Sequence, residues 1–442
     1  MDATWPASAA IAILMIAQAQ LARRQLGGWL APGALFCLTW TTATVSSLLL
    51  APEYRIWPGV LWVFFMTCTA HLGGLLVTAE PAALGPEPEE PLRTPPAFPL
   101  LLPLLCVSAA LEVAGAIYLV QTIGKDSSSL LSLSGLGEIA SHFSGARYTD
   151  RDYREPMLFL VSQVFIDFAG FLGGALFAQT RSKTRRAIAL ASVPAAMLGT
   201  LVIGARSVTV SFALCWLASY CAVRTYTGYR SPWHSTRRAY TWLILAVAAF
   251  TGFSIAALWL RMNAFPESPV VAPQSERQQD ESTLVYALDT VRNQYVGYVG
   301  AFSTWFSENW DRSEPPGFGI YSFDGPAGWL GYSVVRNPEP IVLTPGSPAS
   351  ETNVFSMLRY MALDFTLPGS AVFLFLISVG ASLAYTRARA GSVICISFTA
   401  LFYRIALSVE SFALRSTVSD LAWVMFALYL WIACSPGPEP EF

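Results

Sequence analysis

Apolar residues fill this chain in long unbroken blocks. They do not follow the alternating or one-faced patterns of soluble strands and helices. Eleven blocks approach the length of a bilayer span: 7–22, 28–50, 58–78, 98–120, 157–179, 187–205, 208–222, 240–260, 368–386, 391–409 and 418–434. A helix rises 1.5 Å per residue, so about 20 apolar residues cross a hydrocarbon core about 30 Å thick. The pattern predicts an all-α polytopic membrane protein with about eleven transmembrane helices. The pair 187–222 leaves room only for a tight turn near Arg206.

Three polar stretches interrupt the blocks. Segment 79–97 interleaves Glu80, Glu87, Glu89 and Glu90 with prolines. It cannot bury enough apolar surface to fold and reads as a linker. Segment 121–156 carries Leu130, Leu131, Leu133, Leu136, Ile139, Ala140 and Phe143 at near-helical spacing, which predicts a helix lying on the membrane surface. It ends in a mixed-charge run from Arg147 to Glu155, the ordinary mark of a solvated connection. The third stretch, 261–367, is the longest and divides the chain, with 1–260 holding spans one to eight and 368–442 holding the last three and a short tail. Within it Leu284, Leu288, Val291, Tyr295, Tyr298, Val299 and Phe302 repeat helically and continue through Trp305 and Phe306. This predicts a long amphipathic helix. A turn cluster follows over Gly317–Gly325. A second helix is expected over about 354–363, presenting Arg359 and Tyr360 toward the membrane surface.

Composition agrees with the blocks. Hydrophobic residues make up 54% and charged residues only 13%, with mean hydropathy +0.48. A soluble chain carries about 25% charged residues. The charge that remains sets an orientation. Arg23 and Arg24 follow the first span, Arg181, Lys183, Arg185 and Arg186 the fifth, Arg224, Arg230, Arg237 and Arg238 the seventh, and Arg387 and Arg389 the ninth. With eleven spans all of these fall on one side, which the positive-inside rule makes cytoplasmic. The N-terminus and the 261–367 loop are then outside, and the C-terminus inside. No basic run precedes the first block, so a cleaved signal peptide is not indicated.

The net charge of −2 offers no basic surface for nucleic acid. The seven cysteines all fall in apolar blocks without a CxxC pair, and the three histidines are scattered, so neither a disulfide framework nor a metal site is expected.

The candidate chemistry lies in a few ionisable groups. Glu112, Asp167 and Arg404 fall inside apolar blocks, where a charge must face an interior or a wet cavity. An ion pair between Asp167 and Arg404 and a substrate role for Arg404 are both open. Arg206, in the outer turn Gly204–Ser207, either snorkels to the headgroups or holds a ligand there. Arg292 either pairs locally with Asp289 at i−3 or reaches outward. Arginine forks bind phosphate oxygens bidentately, aromatic rings pack on sugar faces, and a carboxylate can act as a general base. Many carboxylates lie in the large loop, and the sequence does not rank them. Glu351 and Asp364 are nearest to Arg359 along the chain.

Taken in order, these residues resemble a known family. Arg206 occupies a tight outer turn. A large outer loop follows, with Tyr295, Tyr298-Val299-Gly300-Ala301-Phe302 and Gly319-Ile320-Tyr321-Ser322-Phe323. Then come Thr352-Asn353-Val354-Phe355, Asp364-Phe365 and Gly369 at the start of a span. The pattern, over roughly 160–410, is similar to the Wzy-type oligosaccharide repeat unit polymerases, relatives of the O-antigen polymerases and ligases. The resemblance implies a glycosyltransferase of the bacterial inner membrane. It would join polyprenyl-diphosphate-linked oligosaccharide repeats at the periplasmic face for polysaccharide biosynthesis, without metal or cofactor. It also implies a chain-length regulator as a possible partner. In this sequence Arg206 and Arg359 would engage the leaving diphosphate, with Glu351 and Asp364 as catalytic carboxylates. Arg292, Tyr295, Tyr298, Asn353, Tyr360 and Arg404 would bind substrate. Where relatives often carry Asp-Phe-Gly, this chain has Asp364-Phe365-Thr366, and the large loop lacks the histidine of the ligase branch. Two other readings are a membrane glycosyltransferase using a polyprenyl-phosphate sugar and a flippase for lipid-linked oligosaccharides.

Overall fold

The computed structural model describes residues 4–78, 92–96, 98–149, 156–203, 207–231, 252–253, 256, 283–311, 316–329, 341–342, 351–352, 356–409 and 416–434. The expected block 240–260 therefore lies almost wholly outside the described residues, as do Arg206 and Asn353. Among the described residues the elements run α1 (Trp5–Gln25), α2 (Pro32–Leu50), α3 (Gly59–Val77), α4 (Leu101–Thr122), a short 3-10 turn (Ser127–Leu131), α5 (Leu133–Thr149), α6 (Met157–Gln179), α7 (Lys183–Ala189), α8 (Val193–Ile203) and α9 (Ser207–Tyr226). They continue with α10 (Thr283–Asn309), α11 (Asp324–Trp329), α12 (Met357–Arg389), α13 (Ile394–Leu407) and α14 (Thr417–Cys434). Two-residue strands, β1 (Ile341–Val342) and β2 (Glu351–Thr352), pair antiparallel with Ile341 opposite Thr352.

Eight of these helical segments are long and apolar enough to cross a membrane, and two shorter apolar helices follow them. The architecture is all-helical and consistent with a polytopic membrane protein. The outward faces agree. Leu72, Leu76, Leu376 and Trp431 stand more than half exposed. Large apolar side chains exposed in this number belong against lipid, because soluble monomers keep such patches small.

The chain divides into two compact units. The first holds Met1–Phe98, Ala218–Pro232 and Arg292–Phe442, and the second Pro99–Leu217 and Trp233–Val291. In the first unit α3 packs along α12, α2 lies against α1 and α3, and α13 bridges α12, α2 and α14. Small residues let the backbones approach: Ser378 on α12 donates its hydroxyl to the Ala70 carbonyl of α3. One end of this unit is a collar of loops. The Leu30 N–H donates to the Arg230 carbonyl, Leu92 N–H to the Thr227 carbonyl, and Arg93 packs on Gly391. Arg224, buried here, lies 3.8 Å from the Tyr229 ring centroid and donates from Nε to the Ser231 carbonyl at 3.1 Å. In the second unit α6 packs along α4, and α8 contacts α4, α5 and α6. The helix expected within 121–156 forms as α5 and buries Leu136, Ile139, Ala140 and Phe143, so this apolar face packs on protein.

The sequence expects a short helix over 354–363 and a separate span from 368. Both form, as two helical arms of α12 that meet at Thr366, whose φ of 64° and ψ of 172° break the helix. Pro368 stands two residues after the break. Its ring clashes with the carbonyl four residues back and removes one helical hydrogen bond, which is why the bend falls here.

Candidate functional site

The loop end of the first unit is built around α10. Its pattern marks an amphipathic helix, and the apolar face docks on the end of α2, the 51–58 connection and the start of α3. Ser47 donates to the Val296 carbonyl and Tyr54 donates to Asn293 Oδ1. The Gly59 N–H donates to Ser303 Oγ at 3.1 Å, and Trp62 stacks on Phe306. A Cβ on Gly59 would fall 2.4 Å from Ser303 Cα, so glycine is what lets α10 lie this close. Arg292 has a counter-charge far from it in the chain. Its Nη2 meets Glu53 Oε1 at 2.8 Å, with the guanidinium over the Tyr54 ring. The side chain of Asp289 lies outside the described residues.

A second piece docks on the bend of α12. The carboxylate of Asp364 accepts the Tyr321 N–H at 3.0 Å through Oδ1 and the Ser322 N–H at 2.5 Å through Oδ2. The Gly317 and Phe318 N–H groups donate to the Leu363 and Asp364 carbonyls. Phe365 packs on Phe373, and Phe323 meets Phe373 edge to face. Asp364 is thus buried in the turn 317–323, with both oxygens receiving backbone donors.

Between these two pieces sits Arg359, one turn before Asp364 on α12. It is 6% exposed. Its guanidinium carbon lies 5.8 Å from the Trp305 ring centroid of α10, and Tyr360, Tyr321 and Glu308 act on its charge. Three separate segments therefore wall one cation: α10 with Trp305 and Glu308, the turn with Tyr321, and α12 itself. A guanidinium drawn out of water this way binds an anion more strongly than a surface arginine, because the effective dielectric is lower. The surrounding rings supply flat apolar faces.

The other expected residues distribute as follows. Tyr360 is buried beside Arg359, and Tyr298 is half-buried on α10. Tyr295 lies on α10 and Glu351 in β2, but their side chains lie outside the described residues. Arg404, on α13, is buried with Nη1 3.8 Å from Asp420 Oδ1 of α14, while Asp167 accepts the Ser211 hydroxyl at 2.7 Å. The charge partner of Arg404 is thus Asp420. The Met357 N–H donates to the Val409 carbonyl, which joins the outer end of α13 to the start of α12. Arg404 and Arg359 descend from that one junction. Arg292 does not join them. It sits 13 positions from Trp305 on α10, about 20 Å along the helix axis. One diphosphate does not span that distance.

Sequence reasoning missed Glu53, Tyr54 and Glu308 as partners of the arginines. Only Trp305, on the aromatic face of the helical repeat, carried a signal. No family model, curated protein or solved structure matches the chain.

Proposed function

We propose that this protein is a glycosyltransferase that polymerises polyprenyl-diphosphate-linked oligosaccharide repeats at the outer, periplasmic face of a bacterial inner membrane. The observation that carries the reading is Arg359, a buried guanidinium walled by Trp305, Tyr360 and Tyr321 where the large loop meets the membrane helices. Negative charge develops on the diphosphate as the glycosyl bond breaks. A cation already stripped of water stabilises that charge without reorganisation. Arg404, on the helix joined to the start of α12 by the Met357–Val409 hydrogen bond, is a candidate for a second contact, and Arg206 remains a candidate from the sequence. Trp305, Tyr298 and Tyr360 offer faces for the sugars. Glu308 acts on the charge of Arg359 and is a better candidate for general base than Asp364, whose oxygens hold backbone amides.

Two further features support the reading. Thr366 stands where members of the resembled family often carry glycine, and it holds a positive φ that favours glycine. The loops after α1, α3, α9 and α12 meet at one collar. These are the loops that carry the basic residues, so their gathering at one end supports placing that end on the cytoplasmic side.

The test is complementation of a strain lacking the gene, with polymer length read on a gel. Arg359→Ala is expected to slow polymerisation about 100-fold or more. Arg359→Lys keeps the charge but loses the fork and recovers only part of that. Full-length polymer from Arg359→Ala would remove this residue from the mechanism. Loss of single repeats from the outer face in the deletion strain, where a polymerase leaves them exported but unjoined, would point to a flippase.

A further inference from the structure

The collar at one end of the first unit gathers positive charge that the glycosyl transfer reading does not use. Arg387 and Arg389 lie in the last turn of α12, and Gly391 follows with a φ of 104°. Arg93, from the segment after α3, lays its guanidinium on that end: a Cβ at Gly391 would collide with Nη1 of Arg93. Arg389 folds back along the helix. Its Nη1 donates to the Tyr385 hydroxyl at 3.3 Å, and its guanidinium carbon lies 5.7 Å from the ring centroid. Arg387 and Arg93 stay exposed. Three guanidiniums therefore surround one helix end.

No carboxylate among the described residues pairs with any of the three. The connections that meet at the collar, 26–31, 92–96, 227–231 and 390–393, contain no acidic residue. The bland role for these arginines is to complement the dipole of α12. The C-terminal end of a helix carries about half a negative charge, so three arginines exceed it several-fold. The excess draws an anion.

The neighbouring side chains say which kind. Leu383 stands one turn before Arg387 on the same face of α12 and is half-exposed. The pairing recurs at the end of α1, where half-exposed Leu21 stands one turn before exposed Arg24. A ligand matching such a face has an apolar tail beside a negative headgroup. Free phosphate has the charge without the tail. The arginines also close a helix long and apolar enough to cross a membrane, which is the depth of lipid headgroups.

We infer that Arg93, Arg387 and Arg389 form a binding site for an anionic phospholipid, whose phosphate the guanidiniums hold while an acyl chain lies along Leu383. Arginine forks take phosphate oxygens bidentately, and basic pockets between membrane helices are suited to acidic headgroups. The site is independent of the glycosyl transfer reading.

The test is native mass spectrometry of the purified full-length protein in detergent, with added phosphatidylglycerol or phosphatidylcholine. The wild type is expected to retain phosphatidylglycerol in preference. Arg387→Gln, at an exposed side chain, is expected to reduce that preference about fivefold, and Arg93→Gln with Arg387→Gln about 25-fold. Arg181→Gln with Arg185→Gln, at exposed basic residues of the second unit, is expected to leave it unchanged. Equal retention of the two lipids by the wild type overturns the proposal. So does an equal loss in the second-unit variant, because any surface charge would then serve. Displacement of the lipid by glycerol 3-phosphate would make this a free-phosphate site and overturn it as well. Replacing Glu87, Glu89 and Glu90 with Gln is expected to change nothing; a large gain in lipid binding would mean that the chain's own carboxylates occupy the arginines.

Discussion

Two buried arginines in the first unit share almost the same exposure, 4% for Arg224 and 6% for Arg359, and both lie against aromatic rings. Their surroundings differ in sequence distance. Arg224 is stacked near Tyr220 and Tyr229 and donates to the Ser231 carbonyl, all within a few residues of itself. It staples its own turn. Arg359 is walled by residues of α10, of the 317–323 turn and of its own helix, which meet only in the folded protein. Burial and cation–π geometry alone do not separate a structural arginine from a functional one. The origin of the wall does, because chain segments gathered around a cation from far apart are more than local chain geometry requires.

The largest expected effect tests that distinction. Arg359→Ala should reduce polymer formed per folded protein by about 100-fold, roughly 3 kcal/mol of barrier. Arg224→Ala should lower the amount of folded protein in membranes while the surviving fraction keeps its specific activity. Quantifying polymer against immunoblotted protein for both variants separates the two. Equal losses of specific activity would erase the contrast.

A smaller effect is expected from the clamp that builds one wall. Asp364→Asn replaces an acceptor with a donor facing a backbone N–H, and a hydrogen bond to a charged group contributes about 1.5–3 kcal/mol. The 317–323 turn should become cleavable by protease while the membrane helices stay intact. Protection unchanged from wild type would show that the turn is held without its carboxylate.

Thr366 tests the bend beneath Arg359. A β-branched residue at φ 64° and ψ 172° is strained, by about 1–3 kcal/mol, and glycine is not. Allowing for the larger entropy of glycine in the unfolded chain, Thr366→Gly should stabilise the protein by about 1 kcal/mol in thermal unfolding. A destabilised variant would mean that the threonine side chain contributes more than the strain costs.

The smallest change is expected at Arg292. Its pair with Glu53 is more than a third exposed on both sides, and such pairs contribute about 0–1 kcal/mol. A double-mutant cycle of Glu53→Gln and Arg292→Gln should give a coupling in that range that fades with added salt. A strong, salt-insensitive coupling would move this arginine into the buried class.

Much of the fold was legible because hydropathy over some 20 residues is a local property. Ten of the eleven blocks coincide with helices, and the remaining one lies almost wholly outside the described residues. What was not legible was non-local. Arg292 pairs with Glu53, far earlier in the chain, a contact that helical spacing does not suggest. The pairing of Asp167 with Arg404 rested on charge alone, and Asp420 at the next helix supplies the counter-charge. Asp364 gave no sign that its oxygens would be taken by amides more than 40 residues upstream. The break between a loop helix and a span was read from composition. The helix does break there, at Thr366, two residues before Pro368.

The arm of α12 after Thr366, 367–389, is about 35 Å long, enough by itself to cross a hydrocarbon layer of about 30 Å. Arg359 rides on the short arm before the break. The join between the two arms is a non-helical residue, so the short arm keeps the orientation its loop partners give it while the long arm follows the tilt and thickness of the bilayer. Lipid composition is thereby mechanically uncoupled from the reactive end of the molecule.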